Sequence, residues 1–287
     1  MADRPPNPTG MYRYTSIARP IDPAFLTNRA LLIVLPLLAL LSAGLAFFRY
    51  LDGSPLSASL NGVLVAFAAW ALTRELAPDH DGAAFVALAI AWVSNVAIDM
   101  HQVLLVFVAL VLVRVVNRST GLPARPFDTL GVFGFCTWAS VATGQPLILL
   151  VAALAFTLDA VLEKPLRVHY LAAAACLVVF AWMQVGDYDL VAEDLGLFDG
   201  SLLGVFSLGI TLVVLTSAQP VSYCDVSPDR LDRMRVNAGL IVGFLLAVQT
   251  VVTGGDSAWR ETPLWVCLIV VLLDRLVGVN GYLRGRR

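Results

Sequence analysis

The residues best suited to chemistry in this chain are few and widely spaced. Asn95, Asp99, His101 and Gln102 form its densest polar group. Asn95 stands four residues before Asp99, so a helix through this segment would turn both to the same face. A carboxylate close to an imidazole suits cation binding or proton exchange. A structural role competes with that reading. A turn lacking Gly and Pro needs polar side chains to satisfy its own backbone, and water reaches such a turn. Asp159 and Asp274 each stand near the end of an apolar run, and Arg74 lies at a similar depth in another. Unpaired charge is costly in hydrocarbon, so these residues must pair or reach the interface. An Arg74–Asp159 or Arg74–Asp274 pair would gate an inner opening. Otherwise the three cap helix ends at the membrane surface. The expected binding residues are therefore Asn95, Asp99, His101, Arg74, Asp159 and Asp274, with no catalytic residue assigned.

Other constellations carry less. Asp79, His80 and Asp81 are adjacent in an order that invites a metal. Neighbouring side chains on a short loop rarely converge on one ion, so no metal site is expected. Cys136, Cys176, Cys224 and Cys267 lack ligand spacing, and three of them sit in apolar runs. They read as small buried hydrophobes, neither paired nor metal-binding. Ser227 followed by Pro228 resembles a helix start, with a Ser cap and Pro in the first turn. The chain holds no P-loop, no dinucleotide fingerprint, no zinc-protease motif and no pair of intramembrane histidines for haem. No cofactor is expected, and nucleic acid is not an expected partner.

The elements that must position these residues follow from composition. Of 287 residues, 59% are hydrophobic and 14% charged, against about 25% charged in soluble domains. Apolar runs of helical length recur along the chain, which predicts an all-α, polytopic transmembrane helix bundle. Spans are expected at residues 30–48, 56–73, 82–97, 102–116, 127–143, 145–162, 170–185, 200–219, 237–253 and 263–280, arranged as five hairpins. Residues 1–29 read as a polar N-terminal tail with Pro and Arg. Residues 30–287 read as one transmembrane domain.

Residues 82–118 decide the orientation of everything downstream. As one helix of about 35 residues they would run about 52 Å, far beyond a hydrocarbon core of about 30 Å. As a hairpin turning near Met100 they give two short spans. The charge pattern favours the hairpin. With both termini cytoplasmic, all of the 19 Lys and Arg residues except Arg49 and Arg260 fall on the inner side, as the positive-inside rule requires. A single helix reverses that majority. The plasma membrane is the expected location, with the bilayer itself the main partner.

Residues 186–200 would then lie outside, with Asp187, Asp189, Glu193, Asp194 and Asp199 and no base. Leu190, Val191, Leu195 and Phe198 can share one helical face, so the segment is expected to lie on the outer leaflet. It would serve as a connector, a plug or a docking surface for a basic protein partner. Gly200 with Gly204, and Gly239 with Gly243, put small residues four apart, which is expected to serve close packing between helices of the chain, with dimerisation the alternative.

In length, span count and orientation the chain resembles the ten-helix drug/metabolite transporters. That resemblance implies two five-helix repeats of opposite orientation, and the halves do not align by sequence. Three functions fit: a secondary transporter of a small or lipophilic solute, a non-catalytic subunit or scaffold of a larger complex, and an intramembrane enzyme acting on a lipid or polyprenyl substrate.

Overall fold

The computed structural model describes residues 10–48, 54–98, 103–186, 196–254 and 261–284. Among these the chain is all-helical, with ten α-helices and one short 3-10 turn, Gly10–Arg13. The helices are α1 (Leu26–Phe47), α2 (Pro55–Leu76), α3 (Asp81–Ile98), α4 (Leu104–Asn117), α5 (Pro126–Thr143), α6 (Leu147–Val161), α7 (His169–Val185), α8 (Leu197–Thr216), α9 (Arg233–Gly254) and α10 (Thr262–Arg284). Each expected span coincides with one helix. Four of the described helices, α1, α2, α8 and α9, are long and apolar enough to cross a membrane. Residues 82–118 are two helices, α3 and α4, and not one.

The chain divides into two compact units. The second in size holds residues 20–110 and 254–287. Here α2 packs along α1 and α3, and α10 lies against α2 and α3. The start of α2 is well specified. Ser54 caps it by accepting a hydrogen bond from the Ser57 amide at 3.2 Å, and Pro55 occupies the first turn. Its buried face is rich in small residues, among them Ala58, Gly62, Ala66 and Ala69. Small side chains let helix backbones approach. At Gly62 a β-carbon would strike Ser42 of α1 and Trp92 of α3. Those two side chains bond to each other over the glycine, Trp92 Nε1 donating to Ser42 Oγ at 3.0 Å.

The larger unit holds residues 1–19 and 111–253. Helix α6 packs on both α5 and α7. It is apolar apart from Thr157 and Asp159, and Ile148, Leu149, Ala152, Ala155 and Phe156 are fully buried. The α5–α6 turn closes on Gly144 at φ 66°, a left-handed cap where a side chain would be strained.

Polar connections cover one end of these helices. Asp128 sits in the first turn of α5 and accepts from the Arg125 amide at 2.9 Å. The same carboxylate accepts from the Ser16 amide and hydroxyl at 2.8 and 2.9 Å, and from the Thr15 hydroxyl. Residues 10–19 of the expected tail are thereby tied down, and α1 begins at Leu26, inside it. Residues 217–232 form a small hairpin with a bridge between Tyr223 and Arg230. Its tip docks on the α4–α5 connection, Asp225 N and Val226 N donating to Ser119 O and Thr120 O at 3.1 and 3.2 Å.

Two expectations are corrected. Ser227 does not start a helix. Its hydroxyl accepts from Asp229 N within the hairpin, and α9 starts at Arg233. Asp232 takes the cap role, accepting from the Arg235 amide at 2.8 Å. The glycines of the two pairs also differ within the chain, which bears on internal packing and leaves the dimerisation alternative untouched. Gly239 of α9 abuts Asn117 and Val113 of α4, as close packing predicts, but a β-carbon at Gly200 or Gly204 of α8 would meet nothing within 4 Å.

Candidate functional site

Two polar constellations stand out, one in each unit. In the smaller unit, α3 and α10 run antiparallel and leave a groove between them. Helical spacing makes its walls. Ala83, Val86 and Ile90 share a face of α3, and Ile269, Val270 and Leu273 share a face of α10. The cavity is about 690 Å³. Val86, Ile90, Ile269 and Leu273 stay largely exposed along it. Its mouth is formed by Asp79, His80 and Asp81 at the start of α3 together with Asp274 of α10. His80 Nδ1 lies 2.6 Å from Asp274 Oδ2, and the imidazole is half exposed. Asp81 pairs with Arg74 at 3.5 Å. Arg74 also donates to Asn28 at 3.3 Å and stacks over the Trp70 ring at 5.0 Å. Arg275 donates to Leu76 O at 3.0 Å, tying α10 to the end of α2.

The second constellation is a buried ion cluster in the larger unit. Asp159, near the end of α6, is fully buried. Its Oδ1 accepts from Arg118 Nε at 2.6 Å and Arg235 Nη1 at 2.8 Å. Its Oδ2 accepts from Arg118 Nη2 at 2.7 Å and lies 2.8 Å from His169 Nδ1. Arg118 thus grips the carboxylate with two parallel bonds, the fork geometry that arginine alone supplies. Local structure aims each donor. Arg118 takes a left-handed conformation, φ 48°, just past the end of α4. Arg235 stands in the first turn of α9, and His169 opens α7. The spare guanidinium protons are used as well. Arg118 bonds to Lys164 O at 2.7 Å, and Arg235 to Val116 O at 2.7 Å and Glu163 O at 2.6 Å.

His169 Nε2 lies 2.9 Å from Thr129 Oγ1. The order Asp159–His169–Thr129 has the spacing of a hydrolytic relay. Its surroundings argue otherwise. The carboxylate is shared with two guanidiniums, the imidazole is fully buried with its edge on Phe156, and Thr129 also lies within bonding distance of Arg125 O in its own helix. The cluster is built to hold α4, α6, α7 and α9 together. Over it lies a polar cavity of about 260 Å³, lined by Arg118 and Arg235 below and by Lys164, Asp229 and Arg230 above. Lys164 and Asp229 pair across its rim at 2.8 Å. The hydrogen bond to Asp229 holds the ammonium above its ordinary range, and Lys164 holds the Asp229 carboxylate below its own.

The expected site residues therefore part company. Asp159 meets Arg118, Arg235 and His169, and Asp274 meets His80. Arg74 meets Asp81, Asn28 and Trp70. Asn95 is buried on α3 and accepts from Asn61 of α2 at 3.0 Å. Asp99, His101 and Gln102 lie outside the described residues, as does 187–195 of the acidic segment. Among the described residues no group of three or more His, Cys, Asp or Glu could hold a metal. Sequence reading passed over His80, Arg118, Arg235 and His169 as binding residues. Each lies in a polar stretch beside an apolar run, where several charged neighbours read alike, and only long-range packing brings these four to an aspartate.

No protein-family model matches the chain, and neither the curated proteins nor the solved structures contain a match to it.

Proposed function

We propose that this is a multi-pass plasma-membrane protein with ten spans and both ends cytoplasmic, acting as a secondary transporter of a small or lipophilic solute. The observation that carries the reading is the groove between α3 and α10. An apolar trough ends in an ionisable His80–Asp274 pair. Its volume lies within the range of small-molecule sites, roughly 300–1,000 Å³. From Asp81 to Ile90 the trough climbs about 14 Å along α3. That is close to half the depth of a hydrocarbon core. Exposed apolar walls open it sideways to lipid, so a lipophilic solute can enter from the bilayer. Imidazole and carboxylate in contact suit proton exchange coupled to that entry.

The scaffold reading draws on the buried cluster, whose work is structural, and on the acidic segment 186–200 as a protein-docking surface. The enzyme reading is the weaker one, because in the relay-like order Asp159–His169–Thr129 the carboxylate is held by two guanidiniums and the imidazole is fully buried.

The test is flux. Vesicles containing the purified protein, under an imposed pH gradient, are supplied with ethidium and with chain-labelled fluorescent phospholipids. At least one probe should cross faster than in protein-free vesicles, and His80→Ala with Asp274→Asn should return that rate to background. If every probe moves as in empty vesicles, or the double variant is fully active, the transporter reading fails.

A further inference from the structure

The walls of the α3–α10 groove are apolar, but its mouth carries charge of one dominant sign. Asp79, His80 and Asp81 enter from the start of α3, and Asp274 from α10. The cations near them are Arg74 of α2, engaged by Asp81, and Arg275 of α10, which bonds to Leu76 O and feels Asp79 and Asp274. Among the described residues, three carboxylates thus face two guanidiniums and one imidazole. The guanidiniums do not line the groove, whereas all three carboxylates do. A ligand lying in the trough meets acceptors at its head and aliphatic side chains along its body.

We propose that the groove holds a membrane phospholipid with a primary-amine headgroup, its acyl chain laid between α3 and α10 and its ammonium donating to Asp274 and Asp79. Resting on the reading of the groove as the solute site, this names the substrate class. The chain contacts are Val86 and Ile90 on one side and Ile269 and Leu273 on the other. All four are 40–58% exposed, so they present free apolar surface to be covered. The trough opens at a helix terminus, where a headgroup sits when its tail runs into the hydrocarbon. A primary ammonium brings three N–H donors, which suits neighbouring carboxylates. A quaternary ammonium brings charge without donors, and an anionic headgroup meets repulsion. Arrival of the ammonium at Asp274 displaces His80, whose ring is exposed enough to turn to solvent.

Binding is measured apart from transport. The full-length protein in mild detergent is equilibrated with equal amounts of phosphatidylethanolamine, phosphatidylcholine and phosphatidylglycerol of matched chains. It is then repurified, and the retained lipid is counted by mass spectrometry. Phosphatidylethanolamine should exceed phosphatidylcholine by about threefold, the scale of one partly exposed charged contact. Asp274→Asn with Asp79→Asn should level the three lipids. Should that pair disturb folding, Asp79→Asn alone, on the connecting loop, should at least halve the preference. Ile269→Trp, which fills the trough, should lower total retained lipid without changing headgroup order. Equal retention of phosphatidylethanolamine and phosphatidylcholine by the unaltered protein, or a preference unchanged by the aspartate variants, overturns the inference. Selective retention without flux in the vesicle assay removes the transporter reading and leaves the lipid site standing.

Discussion

At the scale of single residues, Asp159 shows how a charge is kept inside an apolar helix. Its carboxylate is met by Arg118, Arg235 and His169, and the arginines also donate to carbonyls of the α6–α7 connection. A buried pair contributes little net stability when intact, yet removing one partner strands the other and costs about 3–5 kcal/mol. Asp159→Ala leaves two guanidiniums without their counter-ion and should lower the unfolding midpoint in detergent more than any single arginine variant. Arg118→Lys keeps the charge and loses the fork, so its loss should be smaller, about 1–3 kcal/mol. Glu261, just before α10, is a different case. It is buried, and burial pushes its carboxyl up to about 8. The folded state therefore holds a proton that the unfolded chain releases at ordinary carboxylate pH. Stability should fall as pH rises from the ordinary carboxylate range to about 8. Glu261→Gln should flatten that stretch of the pH–stability curve, and an unchanged slope would remove Glu261 as its source.

At the scale of elements, two glycine pairs that read alike in sequence are used differently. Gly239 faces Asn117 and Val113 with no room for a side chain, whereas Gly204 on α8 has open space around it. Gly239→Leu should drive α4 and α9 apart and cost at least about 1–3 kcal/mol. Gly204→Leu should stay within about 0.5 kcal/mol of the parent. Thermal unfolding of the two variants side by side separates these outcomes. Length is a second matter of elements. Helices α4 and α6 have 14 and 15 residues, which gives about 21–23 Å of rise. Alone they fall short of a hydrocarbon core. Crossing requires local thinning or the polar end-layers that Asp128, Asp159 and their partners supply.

At the scale of the whole molecule, sidedness decides what each charged group can do. Cys224 tests it without mutation. It is the described cysteine that is not buried, and it lies in the hairpin expected on the cytoplasmic face. Burial still raises its thiol above the ordinary range, so labelling at neutral pH is slow and is followed over an extended time course. A membrane-impermeant maleimide should then modify it in inverted vesicles and not in intact cells. The reverse would invert the topology and every inner and outer assignment with it. Helix number and helix position among the described residues were legible in the sequence, as was the presence of helices long and apolar enough to cross a membrane, because apolar runs are local properties that hydrocarbon thickness reads directly. Asp159 and Asp274 were visible as anomalies for the same reason: a lone acid in an apolar run is expensive wherever it lies. Their partners were not visible. Arg118 and Arg235 stand 41 and 76 residues from Asp159, and His80 stands 194 from Asp274. Several arginines are electrostatically equivalent until packing chooses among them. Tertiary structure alone made that choice, since a salt bridge depends on a few ångströms and helix packing sets those distances.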